Sequence, residues 1–140
     1  MILNLEKINT GIYHILSDYR KIAVVGASDK PNRDSHNIAL FMKNHGRIIF
    51  PVNPNYKQVL GVTCYPSLLD IPEKVDLVDI FRRSEAVMPV VEEAIRIGAR
   101  AVWMQLGVIN KEAAQKALDA GLEVVMDRCW KIEYLQHKHE

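Results

Sequence analysis

At 140 residues and 16.0 kDa, with 49% hydrophobic residues, the chain has the size and apolar content of a single domain with a sizeable core. Eighteen basic against seventeen acidic residues leave a net charge of +1, which gives no electrostatic reason to expect a nucleic acid or an anionic membrane as partner. No apolar run approaches the ~20 residues of a membrane span, no signal-peptide pattern opens the chain, and Cys64 and Cys129 lack CxxC or metal-ligand spacing; a cytoplasmic protein with free thiols is expected.

Leu5, Ile8, Ile12, Ile15 and Leu16 recur at three or four residues, which predicts an amino-terminal helix lying across the domain, over residues 1–18. Gly11 weakens that helix by ~1 kcal/mol relative to alanine. His14 has no partner in the sequence pattern and reads as a surface or half-buried residue. Residues 22–25 form a charge-free, β-branched run, the signature of a strand buried on both faces of a parallel sheet. The run stops at Gly26, where a turned backbone and close approach are possible without a Cβ; tight packing of the strand end is the other explanation. A polar turn with Ser28, Asp29, Pro31 and Asn32 leads to a helix starting near Ser35, whose hydroxyl is placed to cap it, and Ile38, Ala39, Phe41 and Met42 form its apolar side. Unpaired amides and the positive end of a helix dipole converge there, which suits phosphate. A single glycine stands where the dinucleotide fingerprint G-x-G-x-x-G has three, so that fingerprint is not matched.

His45-Gly46 ends the helix, and residues 47–52 read as a second strand running into Asn53-Pro54-Asn55. The prolines around Val52 and Asn53 place this segment at the strand's carboxyl end. A polar connection with Lys57 and Gly61 follows, then a single helical turn capped by Ser67. Residues 76–81 form the third strand, with Arg82-Arg83 at its exit. Ser84 is placed to cap the next helix, which Pro89 either kinks or delays. Residues 101–104 are the fourth strand, exiting through Gln105-Leu106-Gly107. Asn110 caps a helix over 111–120, and residues 123–126 are the fifth strand. Asp127-Arg128-Cys129-Trp130 and a last helix to about Gln136 complete the chain. Strands alternating with helices give parallel βαβ units with right-handed crossovers. The expected architecture is α/β: a doubly wound, five-stranded parallel sheet of order 3-2-1-4-5 with helices on both faces.

In such a sheet the strand exits share one edge, which is where ligands bind. Gly26, Ala27, Ser28, Asn53, Arg82 and Gln105 lie there, with Arg33, Ser35 and Lys57 close by; amides, hydroxyls and cations of this kind suit phosphate. Val52, Pro54 and Phe81 are apolar candidates to sandwich a base or cover a pantetheine arm. Cys129 also exits onto this edge, although burial beside Trp130 is its more ordinary role. A nicotinamide site keeps an acid at the end of the second strand to hold the ribose 2′-hydroxyl. Asn53 occupies that position and Lys57 follows, an arrangement better matched to an extra phosphate, which both NADP and coenzyme A carry.

Taken together, Gly26-Ala27-Ser28 with Pro31, Arg33 and Ser35, then Pro51-Val52-Asn53-Pro54, Asp79-Ile80-Phe81-Arg82, Trp103-Met104-Gln105-Leu106-Gly107 and Asp127-Arg128-Cys129 resemble the stand-alone coenzyme A-binding domain family, similar to the nucleotide-binding domain of the succinyl-CoA synthetase α subunit. The resemblance spans roughly residues 19–133. It implies a Rossmann-like fold with coenzyme A or an acyl-CoA as ligand, the pyrophosphate at the glycine turn, the adenosine 3′-phosphate end at Val52-Asn53-Pro54 and Lys57, and Phe81 and Arg82 along the coenzyme's path. It supplies no reaction. In the synthetase a second domain carries the phosphorylated histidine; here His36 at a helix start, His45, and His137 and His139 in a polar tail do not replace it. Two readings follow: a non-catalytic or regulatory binder of coenzyme A, with no nucleic acid or membrane partner, or an NADP-dependent or other nucleotide-using enzyme on the same fold.

Overall fold

Short β-branched runs separated by amphipathic segments fold here into a parallel sheet covered on both faces. The computed structural model describes residues 5–137; the sequence-predicted role of His139 lies outside the described residues. After a 3₁₀ turn at Leu5–Lys7 come α1 (Ile12–Asp18), β1 (Lys21–Val25), α2 (Asp34–Asn44) and β2 (Ile48–Val52). A two-stranded hairpin of β3 (Gln58–Val59) and β4 (Val62–Thr63) and a 3₁₀ turn at Leu68–Asp70 precede β5 (Leu77–Ile80). Then α3 (Val87–Arg96), β6 (Ala101–Met104), α4 (Lys111–Asp119), β7 (Glu123–Val125) and α5 (Trp130–His137) alternate to the end. No helix among the described residues is long and apolar enough to cross a membrane.

The main sheet has five parallel strands in the order β2-β1-β5-β6-β7, so the doubly wound α/β class expected from the sequence holds. Its strand order does not. In terms of the five predicted strands the observed order is 2-1-3-4-5, not 3-2-1-4-5: the third strand pairs with the first, Val24 opposite Asp79 and Val25 opposite Ile80. The physical reason lies in the second strand. Pro51 has no amide to donate, and proline is confined to edge strands. The outer side of β2 is met instead by the returning loop, through Tyr65 N–H to Pro51 O and Asn53 N–H to Tyr65 O, both 2.9 Å. The β2–β5 connection, which contains no α-helix, then carries the chain back past β1.

Alternation along each strand sorts the core into two layers. Ile22, Val24, Leu77 and Trp103 pack with Ile15, Ile38, Met42 and Trp130 of α1, α2 and α5. Ala23, Val25, Val78, Ile80 and Val102 pack with Val87, Val91, Ala113 and Ala117 of α3 and α4.

Local expectations divide. The amino-terminal helix is broken in two, because Asn9 turns the backbone to φ 66° and its side chain both donates to Met126 O (3.1 Å) and accepts from Met126 N–H (2.8 Å), completing the edge beside β7. His14 has partners after all: Asp18 at 2.6 Å, the Tyr19 hydroxyl at 3.2 Å and Glu123 at 3.3 Å. The Tyr19 hydroxyl donates to Glu123, and its pKa is pushed up to about 12 by burial and by that carboxylate. Ser35 and Ser84 are not caps. Arg33 precedes α2, placing Ser35 inside its first turn, and Ser84 accepts the Ile109 amide at 2.9 Å. Asn110 does cap α4, accepting from Ala113 N–H at 2.9 Å, and α3 begins late enough to place Pro89 in its first turn.

Candidate ligand-binding site

Because β1 leads through α2 to β2 on one side while β5 leads through α3 to β6 on the other, the winding reverses between β1 and β5. The carboxyl ends of these two strands are therefore the crevice at which open α/β sheets bind ligands. Gly26 leaves β1 at φ +89°, and a Cβ there would lie 2.1 Å from the Phe81 carbonyl oxygen. The glycine is required by the neighbouring strand exit, not only by room for a ligand. The same Cβ position is 2.8 Å from an Arg82 guanidinium nitrogen, so Arg82 stands directly over the glycine turn.

The turn after Gly26 is tied down from three sides. Asn53 Nδ2 donates to Ala27 O at 2.7 Å while its Oδ1 accepts from Asn55 N–H at 2.9 Å, so the Asn53 side chain bridges the β1 and β2 exits. His36 Nδ1 donates to Ser28 O at 2.9 Å, which joins the turn to the first turn of α2 and gives this histidine a structural task. Ser28 Oγ accepts from Lys30 N–H at 3.1 Å. Held in this way, the amides of Ala27, Ser28, Asp34 and Ser35 have no acceptor among the described residues, at the end of a helix where the dipole is positive.

Beside the turn opens a cleft of about 960 Å³. Its walls come from Arg33 and α2 (Asp34, Asn37, Ile38, Phe41), from the β5 exit (Phe81, Arg82, Arg83), from the β6 exit (Gln105, Leu106, Val108) and from Cys129 and the first turn of α5 (Lys131, Ile132). Four cations line it against the one carboxylate of Asp34, so the field inside favours an anion. The structure thus gathers Arg33, Phe81, Arg82, Gln105 and Cys129 into one cavity. Gln105 is buried, with Oε1 accepting from Trp130 N–H at 3.2 Å, and fixes the start of α5. Asp127 and Arg128 are structural: Asp127 turns at φ 60° and accepts from Gly107 N–H at 2.7 Å, and Arg128 O accepts from Trp103 Nε1 at 2.8 Å.

Val52, Pro54 and Lys57 do not line this cleft. Val52 is buried in the core, while Pro54 and Lys57 are exposed on the adjoining loop after β2. What sequence reasoning missed is the contribution of α2 and α5: Asn37, Leu40, Phe41 and Asn44, then Lys131 and Ile132. The available signal was helical spacing, since Arg33, Asn37, Phe41 and Asn44 recur at three or four residues on one face of the helix that follows the glycine turn.

Residues 20–135 match the family described as CoA binding domain. The protein YneT of Bacillus subtilis is 42% identical over 123 residues, covering 88% of this chain and 91% of its own. ADP-forming acetate–CoA ligase I of Archaeoglobus fulgidus is 30% identical over 118 residues, 77% of this chain but only 17% of the ligase. A hypothetical protein from Pyrococcus horikoshii OT3 superposes with a TM-score of 0.91 at 43% identity, over 99% of this chain and 97% of that one. With the match running through every strand of the sheet and all of the cleft, this chain belongs to the CoA-binding domain family.

Proposed function

We propose that the protein binds coenzyme A or an acyl-CoA across the carboxyl edge of the sheet, as a non-catalytic or regulatory binder. The observation that carries this reading is Arg82 standing over a glycine turn whose amides have no acceptor, a cradle for a pyrophosphate. Arg33 at the start of α2 adds a second charge to the same phosphates. The pantetheine arm and any acyl group follow the apolar wall of Phe81, Leu106 and Ile132 past Cys129. The adenosine 3′-phosphate end runs the other way, toward Asn53, Pro54 and Lys57.

Thermal unfolding with coenzyme A, acetyl-CoA, NAD, NADP and ATP tests the ligand class. A ligand that binds only the native state stabilises it by RT ln(1 + [L]/Kd), ~2.7 kcal/mol at a hundredfold excess over Kd, so coenzyme A is expected to raise Tm by several degrees. No shift with coenzyme A and a clear shift with NADP overturns the proposal in favour of a nucleotide-using enzyme. Acetyl-CoA incubated with the protein and nucleotide is expected to keep its thioester.

Charge removal separates the two ends of the ligand. Lys57→Ala is expected to weaken coenzyme A more than 3′-dephospho-coenzyme A, whereas Arg82→Ala and Arg33→Ala weaken both about equally. The loss expected for each lost charge-assisted hydrogen bond is roughly tenfold. Calorimetric titration of both ligands checks it, and equal losses for Lys57→Ala refute the placement of the adenosine end.

A further inference from the structure

The end of the sheet opposite the cleft contains a second, smaller cavity of about 220 Å³. Arg20 immediately precedes β1 and Arg47 immediately precedes β2, so in this parallel pair both lie at the strands' amino ends. Both line the cavity, together with Tyr13 and Ser17 of α1 and Tyr134 and His137 of α5.

Arg47 is only 8% exposed. Two of its nitrogens donate to peptide carbonyls, His45 O at 2.6 Å and Leu16 O, and its guanidinium lies 5.1 Å from the Tyr134 ring centre and 5.6 Å from that of Trp130. Its Nε is buried and has no acceptor among the described residues. Among the described residues no carboxylate forms an ion pair with this charge. Among the described residues neither Arg20 nor Arg47 enters an ion pair; Asp18 is held by His14 at 2.6 Å, and Glu133 faces His137 at 3.9 Å. Burial pushes the Arg47 pKa down, Tyr134 works against that, and the neighbouring Arg20 charge pushes it down further. A nearly buried cation facing a second cation is unfavourable unless an opposite charge completes the set.

We propose that this cavity binds a small phosphate-type dianion between Arg20 and Arg47. The exposed Arg20 guanidinium offers its fork to the oxygens of such a group, Arg47, held in place by its carbonyl bonds, adds its charge at the cavity wall, and the aromatic hydroxyl of Tyr134 adds a donor. The volume admits inorganic phosphate with at most a short substituent, and is below the range of pockets that take whole nucleotides. The site lies across the sheet from the cleft, so the proposal stands whether or not the cleft takes coenzyme A.

The test is a titration of the isotopically labelled full chain with inorganic phosphate, followed by amide chemical shifts, with chloride used to hold ionic strength constant. Saturable shifts are expected at Ser17, Arg20 and Arg47 in the millimolar range or below. Arg20→Gln, a change at an exposed residue that leaves the core intact, is expected to weaken them roughly tenfold or more. Arg47→Lys, which retains a charge but loses the carbonyl bonds that hold it at the cavity wall, is expected to weaken them as well; should that variant fail to fold, Arg20→Gln decides. Shifts confined to the Ser28–Ser35 turn, no saturable shift at millimolar phosphate, or identical titrations of wild type and Arg20→Gln overturn the proposal.

Discussion

Gly26→Ala is expected to destabilise the protein by about 2–5 kcal/mol and to remove coenzyme A binding with it. Two effects add. The residue sits at φ +89°, where any L side chain is strained, and the new methyl would lie 2.1 Å from the Phe81 carbonyl oxygen, closer than real Cβ atoms come. Relief requires the exits of β1 and β5 to move apart, which displaces Arg82 from the turn and opens the crevice between the two strands. Gly107→Ala provides the control: φ is similar, at +85°, but nothing lies within 4 Å of its Cβ position. Urea unfolding of the two variants separates backbone strain from close approach. A loss in Gly26→Ala no larger than that in Gly107→Ala would show that the Phe81 contact is not what requires the glycine.

The second large effect concerns Asp79, in the centre of the middle strand between Val24 and Trp103. It is 0% exposed, and neither carboxylate oxygen has a hydrogen-bond partner among the described residues. Burial raises its pKa well above the usual carboxylate value; the Ile80 amide pulls the other way without making a hydrogen bond of ordinary geometry. The folded protein therefore keeps this proton at pH values where the unfolded chain, with a carboxyl near ~3.9, has released it. Because the native state binds more protons, stability falls as pH rises above that unfolded value, by up to ~1.4 kcal/mol per pH unit, until the buried group itself ionises.

Asp79→Val, which removes the carboxyl and suits a strand, is expected to be more stable than wild type at neutral pH, with the gain shrinking toward pH ~4. Asp79→Asn keeps the shape and removes only the titration, so it is expected to flatten the pH dependence without the full gain. Chemical unfolding of the three proteins across this range checks both. Parallel stability curves for wild type and Asp79→Asn would mean that the carboxyl is no harder to ionise when folded than when unfolded.

Asp79 also illustrates the limit of reading a strand as a pattern. The run Asp-Leu-Val-Asp-Ile-Phe was legible as a strand because its apolar residues outnumber the charges, yet nothing local shows that its second aspartate is sealed inside the sheet. The five main strands, the glycine turn after the first, the Asn110 cap and the charged exits were readable for the same reason: they depend on periodicity and on residues a few positions apart. Phe81, Arg82, Gln105 and Cys129 were placed at the ligand edge by their strand ends and Arg33 close beside it, and the five meet in one cleft.

Strand order was a different matter, because hydrophobic alternation reports which residues are buried and not which strand lies beside which. Pro51 was the one local hint that the second strand belongs at an edge. Tertiary structure decided the rest. Pairing of β5 with β1 brings the Phe81 carbonyl and the Arg82 guanidinium against Gly26, while the neighbouring exits of β1 and β2 put Asn53 to work as a bridge between turns, and Lys57 stays on a loop outside the cleft. The pairing of β1 with β2 brings Arg20 and Arg47, twenty-seven positions apart in the chain, into one cavity at the amino ends of the strands. Contacts of that kind depend on how the crossovers wind, and the β2–β5 crossover is made by a segment whose short hairpin and turn carry almost no periodic signal.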